Sequence, residues 1–413
     1  MDQGDSDVAT FLRPAKPDTR LTALANERRS VPEIVDSILD QALARRASDI
    51  HLEPGAEGMM VRFRVDGLLQ QTAVIPVSDR AAVVSRIKIM ASLDIAEHRL
   101  PHDGRIRLVR KGRALDLRVS TVPSLHGEKV VLRLLDLDSV AIPLAGCGLA
   151  PDHLLALQGL TRRPQGTILV TGPTGSGKTS TIYACLSDIK SETTNIVTIE
   201  DPIEYEMDGI TQIAVHEKIG LTFAHCLRSV LRQDPDIILV GEVRDLETAR
   251  IAMQASLTGH LVFATLHTND AVGAITRLAD MEIPRYLIAS SMTAVLAQRL
   301  VRRLCPDCKV GYEPDAATRM LLHADAAPLT LYRAEGCASC HSSGVIGRTA
   351  IFEMVPITED LRVLINDRGS EADLRACARG EGARALFQDG ARKVLDGTIA
   401  LEELKRVAEP DRL

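Results

Sequence analysis

One run of eight residues limits what this chain can fold into more than any other. Gly172, Pro173, Thr174, Gly175, Ser176, Gly177, Lys178 and Thr179 follow the pattern G-x-x-x-x-G-K-[ST]. An apolar run at 167–171 leads into it and reads as a strand, and the residues from Ser180 to Leu186 have helical character. Strand, glycine turn and helix start together form a cradle for phosphate. Backbone N–H groups converge on the oxygens, and the helix N-terminus adds positive potential. Lys178 then supplies a point charge to the β and γ phosphates, and Thr179 supplies a hydroxyl to Mg²⁺. The alternative, a glycine-rich turn that binds nothing, leaves the flanking strand and helix unexplained.

The surroundings of this loop imply an α/β core over 152–300. Continuous apolar runs recur at 167–171, 196–199, 237–240 and 261–265, with helical segments between them. Strands that are apolar at every position are buried on both faces, as in a parallel sheet with crossover helices. Residues 30–140 have a different texture. Ser30, Pro32 and Glu33 have the spacing of a helix start, and Ile34, Val35, Ile38, Leu39, Ala42 and Leu43 follow at helical spacing. The period then becomes two, at Ile50 and Leu52 and again at Val61, Phe63 and Val65. Asp66 and Gly67 signal one hairpin, and Lys111 and Gly112 another. A helix with Val83, Val84, Ile87 and Met90 lies between the hairpins, so this part reads as a small α+β domain. Residues 1–29 read as a mobile leader. Residues 141–151, rich in Ala, Gly and Pro, read as a flexible linker. Residues 301–348 form an irregular cysteine-bearing segment, and 349–413 a helical subdomain.

Composition excludes several classes. A net charge of -6 and an aromatic content of 3% do not suit a protein coated in nucleic acid. No apolar run is long enough for a membrane-spanning helix, and the acidic start does not fit a secretory signal, so a cytoplasmic location is expected.

Two further strands end in acid. The strand from Asp236 ends at Glu242, which is where a carboxylate beside Mg²⁺ belongs; Asp236 is at the far end. The strand at 196–199 runs into Glu200, Asp201 and Glu204. Three carboxylates in five residues repel one another, so a metal, a cation or an activated water is implied, and the sequence pattern does not choose among them. His260 and His267 bracket the strand at 261–265; either is a phosphate sensor or a structural histidine.

Cys305 and Cys308 form one Cys-x-x-Cys pair, Cys337 and Cys340 another, with 28 residues between the pairs. In a reducing compartment two such pairs are a tetrahedral zinc signature rather than disulfides. The segment has few apolar residues, so a metal would organise what a core cannot. His341 is an alternative ligand.

Arginine positions are less decisive. Arg118 lies on the polar face of a strand, Arg133 interrupts an apolar run, and Arg228 and Arg232 lie four apart on an amphipathic helix. Each is either a solvated side chain or a cation for phosphate.

Read together and in order, these motifs resemble the secretion ATPase superfamily, whose members drive type II secretion and type IV pilus assembly. The phosphate loop resembles its Walker A motif, Thr198 to Tyr205 its Asp box, Gly241 to Arg244 its Walker B motif, and Gly259 to Asp270 its His box. Ala47 to Pro54 and Leu100 to Arg105 resemble signatures of its preceding domain. The resemblance implies a RecA-like P-loop core after a smaller α+β, PAS-like domain, with a four-cysteine zinc subdomain and a helical C-terminal subdomain. It implies Mg-ATP and zinc as cofactors. It makes Glu204 the catalytic carboxylate, Glu242 the Mg²⁺-side acid and His267 a phosphate sensor. Arg118 and Arg133 become arginine fingers. Glu200, Asp201, Arg228, Arg232, Arg244, His260 and Arg277 become candidates near the nucleotide or a subunit interface.

The implied function is a homo-hexameric ATPase, peripheral on the inner membrane through platform proteins, that powers a pseudopilus. A pilus extension ATPase is the alternative within the class, and the four cysteines argue against a pilus retraction ATPase. A nucleic-acid translocase is the rival from another class. A nucleotide-gated scaffold that does not hydrolyse ATP is a further rival, and the complete acid boxes count against it. The family pattern includes a further N-terminal domain of about a hundred residues that docks to the membrane partner. Only residues 1–29 stand ahead of the first helix here, so the resemblance leaves docking open.

Overall fold

The computed structural model describes residues 30–110, 112–136, 142–324 and 328–410. The expected leader at 1–29, Lys111 of the second hairpin turn and Ala141 at the head of the expected linker lie outside the described residues. Near residue 140 the chain divides into two compact units.

In the first unit, helix α1 (Val31–Ala44) starts where the capping pattern puts it. The Ser30 backbone N–H and hydroxyl both donate to the Glu33 carboxylate, at 2.7 and 2.8 Å. Strands β1 (Asp49–Pro54), β2 (Met59–Val65) and β3 (Leu68–Ile75) come next, then helix α2 (Val77–Met90). Strands β4 (His102–Arg110), β5 (Arg113–Ser124) and β6 (Gly127–Asp136) complete an antiparallel sheet in the order β3-β2-β1-β6-β5-β4. Asp66 and Gly67 both take positive φ, +48° and +84°. A two-residue turn twisted to match its strands requires this. Ile50, Phe63, Leu117 and Leu132 pack in one core with Ile38 of α1 and Val84 of α2. Between these positions, Arg64, Asp49, Arg133, Arg118 and Arg105 fall in one cross-strand row.

The second unit is built on a seven-stranded sheet. It contains α3 (Pro151–Thr161), β7 (Gly166–Thr171), α4 (Lys178–Ile189), β8 (Ile196–Glu200), β9 (Thr211–Ala214), α5 (Phe223–Val230) and β10 (Ile237–Val240). It continues through α6 (Leu246–Leu257), β11 (Leu261–Leu266), α7 (Ala271–Asp280), α8 (Arg285–Ser291) and β12 (Met292–Leu304). The strand order is β15-β12-β7-β11-β10-β8-β9, where β15 is Val345–Pro356. All neighbours are parallel except β15, which runs antiparallel to β12. Strands β7, β8, β10 and β11 are buried along their whole length, as their unbroken apolar runs require. Phe223, Leu227, Met253 and Ile275 cover one face of the sheet, and Leu157, Tyr183 and Leu186 the other.

Two expectations change. The later part of the expected linker is packed rather than flexible. Leu144 to Cys147 make one 3₁₀ turn, and Leu144, Cys147 and Leu149 are buried with Leu157 and Leu186. Lys393 Nζ also donates to Gly148 O at 2.5 Å. An Ala-, Gly- and Pro-rich composition describes local stiffness and says nothing of such distant partners. Second, the expected borders at 300 and 349 fall inside β12 and β15, which pair from Ala294↔Pro356 to Leu304↔Val345. The cysteine segment is therefore an excursion between two sheet strands. It holds β13 (Val310–Tyr312), α9 (Ala316–Leu321) and β14 (Leu331–Arg333). Helices α10 (Glu359–Asn366), α11 (Glu371–Gly380), α12 (Leu386–Leu395) and α13 (Leu401–Val407) follow β15.

Candidate functional site

Parallel strands deliver their carboxyl ends to one edge of the sheet, and that edge is where α/β folds bind ligands. Here β7 runs into the phosphate loop, β11 into His267, β10 into Gly241 and Glu242, and β8 ends at Glu200. The loop is shaped by its glycines. Gly172 has φ +148°, and a Cβ there would lie 2.6 Å from the Gln298 carbonyl oxygen. Gly177 caps helix α4 at φ +88°, and a Cβ there would lie 2.8 Å from Gln298 Nε2. A side chain at Gly172 would therefore push the loop off its sheet, and one at Gly177 would strain a left-handed backbone and displace the Gln298 side chain. Pro173, Thr174 and Gly175 form the exposed crest, and Ser176 is buried beneath it. Thr179 and Ser180 open the helix.

Lys178 Nζ donates to the Gly172 and Pro173 carbonyl oxygens, at 2.6 and 3.2 Å. Burial pulls its pKa down to about 8; Glu242 opposes the shift and Arg299 adds to it. A desolvated ammonium held over loop carbonyls is poised for an anion that restores its charge balance. Pro173, Thr174, His267, Thr268 and Asn269 line a cleft of about 350 Å³ beside the loop. Thr171 Oγ1 ties the loop to the His-box segment, donating to Leu266 O at 3.1 Å and lying 2.7 Å from Thr268 Oγ1.

Glu242 faces His267 Nε2 at 3.1 Å and accepts from Arg244 Nε at 2.6 Å. Arg244 also reaches Asp201 at 3.2 Å and lies 5.8 Å over the Phe223 ring. These pairs are partly exposed, so each is worth about 1 kcal/mol or less. The Glu242 carboxylate is therefore held only loosely by His267 and Arg244.

Glu200 is different. It is 3% exposed, and it accepts from Tyr183 OH, from Thr198 Oγ1 at 2.6 Å and from Gln212 Nε2 at 3.3 Å. Glu204 is half-buried in the loop after β8. The structure thus gathers the phosphate loop, Glu242, His267, Arg244 and the acid loop at one edge. His260 is not among them. It precedes β11, at the opposite end of a six-residue strand, with Nδ1 2.9 Å from Ala255 O. Arg228 pairs with Glu247, and Arg232 donates to the Arg228 carbonyl at 2.7 Å. Arg277 lines a second cleft of about 350 Å³ with Asp270, Gly273 and Glu371.

Sequence reasoning missed Arg299, Gln298 and Gln212. Arg299 Nη2 donates to Asn269 O at 2.6 Å, and Gln298 accepts from Thr181 Oγ1 at 2.8 Å. Their only signal was polarity within otherwise apolar or edge strands. In the first unit, Arg118 and Arg133 are direct register partners, and Arg133 Nε donates to Asp49 Oδ1 at 3.1 Å.

The four cysteines form one cluster. Their Sγ atoms lie within 4.8 Å of one another, with contacts of 3.8 Å for Cys305–Cys337, 3.8 Å for Cys308–Cys340 and 3.7 Å for Cys337–Cys340. A zinc–sulfur bond of about 2.3 Å in a tetrahedron gives edges of about 3.8 Å, so the spacing fits. Backbone N–H groups of Cys337 and Gly344 each lie 3.1 Å from Cys340 Sγ. Burial pushes the Cys340 thiol up, and those two donors together with the Cys337 and Cys308 thiols more than offset it, bringing it down to about 7. His341 is outside this cluster.

A glycine loop on a parallel sheet, a lysine within it and an acid at the same edge, at the end of the next strand but one, define a P-loop ATPase. The Type II/IV secretion system protein family matches residues 25–406, and the chain belongs to that family. Type II secretion system protein HxcR of Pseudomonas aeruginosa is 51% identical to it over 94% of this chain and 80% of that protein. Type II secretion system ATPase E of Vibrio cholerae is 47% identical over 98% and 80%. A crystal structure of the pilus retraction motor PilT with bound ADP has a TM-score of 0.61 at 26% identity, over 92% of this chain and 98% of that one. No helix among the described residues is long and apolar enough to cross a membrane.

Proposed function

We propose that this ATPase is the motor of a type II secretion machine, powering pseudopilus assembly as a homo-hexamer held at the inner membrane by platform proteins. One observation carries the reading. The phosphate loop, Lys178, Glu242 and His267 converge at one sheet edge in a chain about half identical to type II secretion proteins over most of its length. Mg-ATP would be held by the loop backbone, Lys178 and Thr179, with Glu242 on the magnesium side. Magnesium would neutralise charge on the phosphates. Glu204 orients the attacking water, and His267 reports the state of the phosphates to Glu242. Arg118 and Arg133, adjacent in register, supply cations to the developing charge. Zinc is held by Cys305, Cys308, Cys337 and Cys340, and the sulfur spacing supports it. Loss of exoprotein export, with surface pili retained, is expected when the gene is deleted in its own host. Loss of pili with export intact would move the assignment to pilus extension.

A further inference from the structure

The acid loop has a built-in clamp that neither the motifs nor the proposed chemistry uses. Gln212 lies on β9, in parallel register with Thr198 of β8. Its single amide reaches both sides of the loop. Oε1 accepts from the Met207 N–H at 2.8 Å, and Nε2 donates to Tyr205 O at 3.1 Å. Nε2 also lies 3.3 Å from Glu200 Oε1 and 3.3 Å from Tyr183 OH. Tyr183 is fully buried on α4, four residues after Thr179 and so on the same face of the phosphate-loop helix. Its hydroxyl donates to Glu200, and its ring meets Tyr205 edge-on at 4.7 Å. Burial and the Glu200 charge push the phenol well above its ordinary range, so it stays a donor.

These contacts connect three things: the helix that carries Thr179, the strand end at Glu200 and the backbone on the far side of Glu204. A buried carboxylate with three donors is an anchor, since moving it would leave its charge buried and unpaired. We propose that Gln212, with Tyr183 and Glu200, is the positioning unit that fixes Glu204 relative to the phosphate loop. It rests on Glu204 being the carboxylate that orients water. Glu200 is then the anchor of the acid loop and takes no part in proton transfer.

The test is phosphate release and ADP affinity for Gln212→Ala, Tyr183→Phe, Glu204→Gln and the Gln212→Ala/Glu204→Gln pair, at matched oligomeric state. Misplacing a reacting group by about 1 Å costs up to about 100-fold. Gln212→Ala should therefore lose about 10- to 100-fold in kcat, with ADP affinity held within about threefold. Tyr183→Phe, which removes one hydroxyl and keeps the ring, should show the same split with a smaller loss. Added to Glu204→Gln, Gln212→Ala should cost no more than about twofold, because a residue acting through Glu204 has nothing left to position. A normal kcat in Gln212→Ala beside a slow Glu204→Gln overturns this proposal alone. So does a full multiplicative loss in the pair, or ADP affinity falling in step with kcat. Normal turnover in Glu204→Gln overturns the assignment of Glu204, and the positioning unit with it.

Discussion

The phosphate edge and the cysteine knob belong to the same unit and are held in shape by different physics. At the phosphate edge, β7, β8, β10 and β11 are buried throughout, and the loop is pinned from behind by Thr171, Thr268, Thr181 and Gln298. Its order comes from a packed sheet and a set of satisfied polar groups. Among its described residues the knob has two three-residue strands and one short helix, α9, that buries no residue. Its apolar side chains, Leu322 and Leu331, pack outward against Phe387 and Val394 of α12. Four sulfur atoms organise the rest. Residues that make chemistry need a rigid frame. Residues that make a surface feature need only one strong local constraint. The two regions should therefore fail separately.

The largest expected effects divide binding from turnover at the phosphate edge. Arg118→Ala and Arg133→Ala should each slow hydrolysis about 10³-fold, the lower end for lost arginine fingers. Nucleotide binding and metal content should stay unchanged. A protein of residues 146–413 hydrolysing ATP as fast as the whole chain would remove the first unit from the catalytic account. Lys178→Ala should also cost about 10³-fold in turnover, and it should weaken ATP binding as well, because the phosphates lose their main cation. Equilibrium binding separates it from the arginine variants. Glu204→Gln should retain ATP binding and lose about 100-fold in turnover. If it turns over normally, another acid orients the water.

The two regions were also unequally legible. The phosphate loop, the buried strands and the cysteine pairs are local patterns, and each could be read within a few residues. Gln298, Arg299 and Gln212 were not legible, because what matters is their partners. Thr181 and Gln298 are 117 positions apart. Strands β12 and β15 were missed for a related reason: Arg299, Arg302 and Arg303 broke the apolar run of β12, and its pairing partner lies across the whole knob. The adjacency of Arg118 and Arg133 depends on strand register, which no local period specifies. His260 was a reasonable candidate by residue type and turned out to lie at the wrong end of its strand.

The smallest expected effect on turnover comes from metal removal, and it tests the comparison most directly. Cys305 directly follows β12, and Gly344 directly precedes β15, so loss of the metal should fray the pairing from the knob end. The outer pairs, Arg302↔Arg348 and Leu304↔Val345, already straddle an irregularity in the ladder. The inner part is held independently. Ala294, Val295 and Leu296 are at most 1% exposed and pair with β7 as well as β15. Five residues of strand separate Leu304 from Gln298 behind the phosphate loop, a span of roughly 20 Å. The damage should therefore stop short of the loop. Cys305→Ser, or chelation of the whole protein, should remove the metal and release amide hydrogen-exchange protection across 301–348. Protection at 294–300 should persist, and phosphate release should fall by no more than about threefold, a free-energy effect below about 1 kcal/mol. If chelation instead abolishes turnover as completely as Lys178→Ala does, the knob and the phosphate edge form one cooperative element. Metal would then belong among the conditions for catalysis.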